Sequence, residues 1–151
     1  MEFQGISDIT EGFSQQENSD EGEFSLEVGK EKVDSLKKSI VELNELISER
    51  ETLSKSTFND AEKIKTEINN FLLENEANQV SDPESKDNTK EKNDLRHKKI
   101  EISEFQLNEK IGCWKDIALL KKERRIYEQE LNEKLARTKM LQSLMNSEGG
   151  N

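Results

Sequence analysis

The stretch VDSLKKSIVELNELI, Val33 to Ile47, decides the fold. Alternate steps of three and four residues from Val33 meet Leu36, Ile40, Leu43 and Ile47, with mostly charged and polar residues between them. A 3.5-residue repeat of this kind lays apolar side chains along one narrow line of a helix, a line that a second helix must cover. Outward from it the same stepping runs through Arg50, Ser54 and Thr57 to Ala61, Ile64, Ile68 and Phe71. The expected coiled-coil seam is therefore Val33, Leu36, Ile40, Leu43, Ile47, Ile64, Ile68 and Phe71. Its middle is polar, and the neighbouring Leu46, Leu53 and Phe58 are expected to take over there, moving the stripe around the helix.

Composition agrees with a narrow stripe rather than a broad core. Of 151 residues, 30% are hydrophobic and 37% charged, against roughly 45 to 50% and 25% in ordinary globular domains. One proline and seven glycines leave long helices unbroken. The fold class expected is all-α: an elongated coiled coil of two long helices joined by a polar linker, with a disordered acidic amino terminus.

Charge divides the chain further. Residues 1 to 32 carry nine acids and two bases, residues 33 to 94 fifteen and nine, and residues 95 to 151 nine and twelve. Acidic, weakly hydrophobic sequence such as SDITEGFSQQENSDEGEF cannot offset the entropy of ordering, so residues 1 to 24 are expected to be a disordered tail. Phe13 and Phe24 within it are incidental aromatics on this reading. The first helix is expected over 25 to 73, and the almost wholly polar 74 to 94, with the sole Pro83, as a flexible linker. Asn88, with Glu91 three residues on, has the form of a capping box that starts the second helix, expected over 95 to 146. Residues 147 to 151 complete the chain as a disordered end. Ser14 before Glu17, and Ser81 before Asp82 and Glu84, suit an acid-directed kinase and are candidate phosphorylation sites.

The second helix holds the only tryptophan. Leu107, Ile111, Trp114 and Ala118 fall at i, i+4, i+7 and i+11, one face of a helix, and Ile117, Leu120, Tyr127, Leu131, Leu135, Leu141, Leu144 and Met145 continue it. An indole buries roughly 150 to 250 Å² and dominates the interfaces that contain it. The ring needs a pocket, with Gly112 leaving space beside it, and two placements compete: a pocket made with the first helix of the same chain and a pocket supplied by another chain. The second is preferred, and the candidate partner-interface residues are Leu107, Ile111, Trp114, Ile117, Ala118, Tyr127, Leu131 and Leu135.

Other chemistries find little to work with. The one cysteine, Cys113, excludes an internal disulfide and reads as a small apolar filler; with the one His97 sixteen residues away it cannot assemble a metal site. Neither a phosphate-cradling glycine loop nor a nucleophile elbow is present, and a coiled coil offers no cleft in which to move carboxylate pKa values apart. A non-enzymatic protein without cofactor, metal or small-molecule substrate is expected. The run KKERR sets Lys121, Lys122 and Arg125 on one face, but interleaved Glu123, Glu128 and Glu130, with no aromatic platform, argue against direct nucleic-acid contact. No apolar run of membrane-spanning length and no signal-peptide pattern occur, so a soluble, intracellular and non-secreted protein is expected.

Two local resemblances suggest where such a protein acts. WKDIA at Trp114 to Ala118, with Lys121 and Lys122 and then NEKL at Asn132 to Leu135, resembles the start of the geminin-type coiled coil, which implies a regulatory coil that sequesters one partner. RTKMLQSLMNSEGGN, Arg137 to Asn151, is similar to the tail of the centromere protein H family of helical kinetochore subunits. The layout of acidic tail, helix, polar linker and helix also fits small meiotic chromosome-axis proteins. The resulting expectation is an interaction subunit of a multiprotein, nuclear, chromosome-associated complex, partnered by other coiled-coil proteins as a homo- or hetero-oligomer. The alternatives are the geminin-like regulator and a cytoplasmic tethering or trafficking subunit.

Overall fold

The computed structural model describes residues 18 to 81 and 88 to 150, with side-chain environments from Leu26 onward. It is all-α: α1 spans Asn18–Ser81 and α2 spans Thr89–Glu148, with no strand among the described residues. Few glycines, no proline within either element and an excess of Glu, Lys and Leu let both helices run past 15 turns without a break.

Both helices are longer than their apolar stretches. α1 begins at Asn18, so residues 18 to 24 are helical; the rest of the expected tail, with Ser14, lies outside the described residues. The expected linker is mostly helix as well, since residues 74 to 81 close α1 and Thr89 opens α2. The two ends pair through polar groups in place of apolar ones: Lys92 Nζ donates to Gln79 Oε1 at 2.6 Å, and Arg96 faces Glu76 at 3.5 Å. Asn88 stands at the cap position, its carbonyl accepting the first α2 hydrogen bond from Lys92 N, with Glu91 in the first turn. Pro83 is outside the described residues. At the other end, residues 147 and 148 still belong to α2.

The described structure forms two compact units. In the first, α1 up to Val41 lies antiparallel to α2 from Arg125 onward. On α1, Val33 and Leu36 are buried and Ile40 half-buried; on α2, Tyr127 and Leu131 are half-buried. A methyl group placed on Gly29 would sit 3.9 Å from the Thr138 hydroxyl, and Lys32 meets Glu130 at 3.6 Å. The second, Glu42 to Arg124, holds the rest of α1 and the first part of α2. Its buried apolar residues are Leu43, Ile47, Ala61, Leu72 and Cys113, joined by the polar Gln106 and Lys92.

The α1 seam departs from the expected one after Ala61. Buried and half-buried positions run Thr57, Ala61, Lys65, Ile68 and Leu72, with two successive four-residue steps around Ala61. With the three-residue step from Ser54 to Thr57 before them, they make an eleven-residue stretch of about 3.67 residues per turn, closer to a straight helix than the 3.5 of a strict heptad. Lys65 is drawn inward because Nζ donates to Gln106 Oε1 at 2.9 Å and pairs with Glu62 at 2.8 Å. Ile64 and Phe71, expected in the seam, are consequently turned out and exposed, and Leu72 is buried instead of Phe71. The middle of the seam also stays in line: Arg50, Ser54 and Thr57 remain half-buried, while Leu46, Leu53 and Phe58 are exposed and do not replace them.

Candidate functional site

Two features stand out in the second unit, a polar cluster within the seam and an apolar stripe outside it. The cluster is centred on Arg50, which replaces an apolar residue in the α1 repeat. Its Nε donates to Asp116 Oδ2 at 2.9 Å and its Nη1 to Glu109 Oε1 at 2.5 Å. A guanidinium offers donors in a fixed fork, so one side chain can hold two carboxylates a pair of turns apart on α2. Both hydrogen bonds, and then the Glu109 charge, hold the Arg50 guanidinium protonated well above its ordinary range. Cys113 Sγ lies 3.9 Å from the Arg50 carbonyl oxygen, filling the space beside it.

One turn pair further along α1, Gln106 makes a second polar layer. Its Nε2 donates to Glu62 Oε1 at 2.8 Å and to the Phe58 carbonyl at 3.3 Å, while its Oε1 accepts from Lys65. The hydrogen bond from Lys65, then that from Gln106, lowers the Glu62 carboxyl below its ordinary value of 4.5. These layers fix which α2 residues meet which α1 residues, because a one-turn slip would strand several charged groups. Among the described residues no three His, Cys, Asp or Glu side chains gather as metal ligands.

The stripe is where Trp114 lies. The ring is 82% exposed and does not pack on α1, so the internal pocket is not formed. The void at Gly112 faces Arg50, whose Nη2 would lie 3.9 Å from an added methyl, and does not serve the indole. Leu107, Ile111 and Ala118 are exposed beside Trp114, as is Ile100 two turns before Leu107. At about 100° per residue, all five fall within one narrow arc of α2.

The eight expected interface residues thus separate into two sets. Leu107, Ile111, Trp114 and Ala118 make the outward stripe; Leu135, 37% exposed, lies four residues after Leu131 on the other side of α2. Ile117, Tyr127 and Leu131 are half-buried on the side that meets α1, and their expected place on one face with Trp114 is corrected accordingly. The reason is periodic: Ile117 is four residues from buried Cys113, whereas Trp114 follows Cys113 directly and is turned by about 100°. Ser81, the described candidate for phosphorylation, is the last residue of α1; its exposed hydroxyl donates to the Ala77 carbonyl at 3.0 Å.

Comparison of the chain with protein-family models, with curated proteins and with solved structures finds no match. Among the described residues, no helix is long and apolar enough to cross a membrane.

Proposed function

We propose that the protein is a non-enzymatic interaction subunit, a coiled-coil component of a larger assembly that engages its partner through the outward face of α2. One observation carries this reading: Trp114, the largest apolar side chain in the sequence, is 82% exposed in a row with Leu107, Ile111 and Ala118. Scattered exposed apolar residues are ordinary, but a periodic row containing an indole is the form of a helix-docking surface. The polar layers at Arg50 and Gln106 support it, since they hold α2 in one register and keep that face turned out.

The nuclear, chromosome-associated setting belongs to the same proposal and is supported by the resemblances of Trp114–Leu135 and Arg137–Asn151 to geminin-type and centromere protein H sequences. Partners are other helical proteins, and no cofactor is required. The test is affinity purification with chemical crosslinking of the tagged chain beside its Trp114→Ala variant, together with imaging through the cell cycle. Crosslinks from residues 107 to 118 to a partner, lost in the variant, and chromosomal foci are expected. Equal recovery by both proteins would reject the interface, and cytoplasmic puncta would reject the setting.

A further inference from the structure

The outward face of α2 has a counterpart on α1. Leu46, Leu53, Ile64 and Phe71 are exposed, and each directly precedes a buried or half-buried seam residue: Ile47, Ser54, Lys65 and Leu72. They therefore share one face of α1, about 100° from the seam. Acids flank this row, Glu49, Asp60, Glu67 and Glu74, all exposed. Arg50, at the seam edge of this row, is committed to Glu109 and Asp116, and Lys63, at its outer edge, pairs with Asp60 at 3.5 Å. On α2 the relation is inverted. Leu107, Trp114 and Ala118 directly follow the seam residues Gln106, Cys113 and Ile117, and their row is flanked by Lys110, Lys115, Lys121 and Lys122. The acids of this stretch, Glu109 and Asp116, are on the opposite side, held by Arg50; Glu101 and Glu104 lie before Leu107.

We infer that copies of this chain associate head to tail, the lysine-flanked row of α2 in one copy lying along the acid-flanked row of α1 in the next. The inference rests on the reading of the Trp114 face as an interface and names its occupant. Each row supplies what the other lacks: apolar residues at helical spacing for contact, and charges of opposite sign at the rims, the arrangement that selects partners in helix pairs. The α2 row, about 23 Å from Leu107 to Lys122, falls within the length of the α1 row, about 38 Å from Leu46 to Phe71.

The geometry also dictates the kind of assembly. In an antiparallel pair, positions one before the seam on α1 and one after it on α2 turn to opposite sides. Ile64 and Phe105 accordingly line a hollow on one side, and Phe58 and Lys110 a hollow on the other. Two copies cannot satisfy both rows at once, so the contact repeats from copy to copy, as heterologous interfaces do. A two-fold contact of the Trp114 row with itself would set lysines against lysines. An anionic lipid surface would meet the acidic row and a chain of net charge −10.

Light scattering coupled to size exclusion, on the purified full chain over a range of concentrations and salt, tests this. The expected mass rises above 17.4 kDa with concentration and falls back as salt is raised. A chain with Lys110, Lys115, Lys121 and Lys122 changed to Glu, and another with Glu49, Asp60, Glu67 and Glu74 changed to Lys, should each be monomeric and helical. Mixing the two should restore the large species. Trp114→Ala, which leaves the charges alone, should weaken association about tenfold or more. A wild-type chain monomeric at every concentration overturns the inference, as does a mixture of folded charge variants that stays monomeric. So does a monomer whose Trp114 emission shifts on anionic vesicles. A wild-type monomer that still loses its cellular partners on Trp114→Ala would leave the proposed function standing and remove only self-assembly.

Discussion

The Arg50 guanidinium of α1 holds Glu109 and Asp116 of α2 together, across 59 and 66 residues of sequence. It joins the helices at a point where the apolar repeat lapses. Replacing Arg50 with Ala should lower the melting temperature followed by circular dichroism, because two carboxylates lose their partner at once. Arg50→Lys should not rescue it, since one ammonium cannot span both acids as a fork does. A lysine variant melting like the wild type would show that the fork geometry is irrelevant.

The buried line of α1 should carry the stability, and its exposed leucines should not. Leu43→Ala, at a 6% exposed position, should cost about 2 to 5 kcal/mol. Leu53→Ala, at a 60% exposed position, should cost under about 1 kcal/mol. Chemical denaturation of the two variants measures the difference, and equal costs would place Leu53 in the seam.

Gly112 is a mid-helix glycine at which an added methyl would make ordinary van der Waals contact with Arg50 Nη2, at 3.9 Å. Gly112→Ala should stabilise the protein by roughly 0.5 to 1 kcal/mol through the lower entropy of the unfolded chain and better helix propensity. A lower melting temperature for this variant would mean that Arg50 cannot accommodate even ordinary van der Waals contact.

The Gln106 layer makes a pH-dependent contribution whose sign is set by Glu62. Its carboxyl is lowered in the folded chain, so the stabilisation is full above the ordinary value of 4.5 and is lost as pH falls toward the lowered native one. Relief of the net negative charge acts in the other direction over the same range, so the comparison is with Glu62→Gln. The gap in melting temperature between wild type and variant should be widest near neutral pH and should narrow as pH falls below the ordinary value of 4.5. A gap that does not change with pH would remove Glu62 from the layer's electrostatics.

The seam from Val33 to Ala61 was readable because its apolar residues keep the heptad and the polar ones, Arg50 to Thr57, keep their place in it. Past Ala61, apolarity misleads: Ile64 and Phe71 continue the heptad by type, but the Lys65 and Gln106 hydrogen bonds favour the neighbouring line. α2 inverts the usual relation between apolarity and burial. Its inward positions include Lys99, Gln106, Glu109 and Arg124, while Leu107, Ile111 and Trp114 face out. A hydrophobic pattern alone therefore finds the outward face first. The helices over 74 to 81 and 89 to 94 are not legible for the same reason, since polar pairs such as Gln79 with Lys92 carry the contact there.

The outward face of α2 is tested most directly by the recovery of partners, whether foreign proteins or further copies, on Trp114→Ala chains matched to wild type in melting temperature. An 82% exposed ring contributes little to the fold of its own chain, so the melt should be unchanged within about 0.5 kcal/mol. Recovery should fall about tenfold or more, as it does when a central aromatic anchor is removed from an interface. Undiminished recovery with an unchanged melt would show Trp114 to be an exposed ring without a partner, and would contradict the reading of α2 as a docking surface.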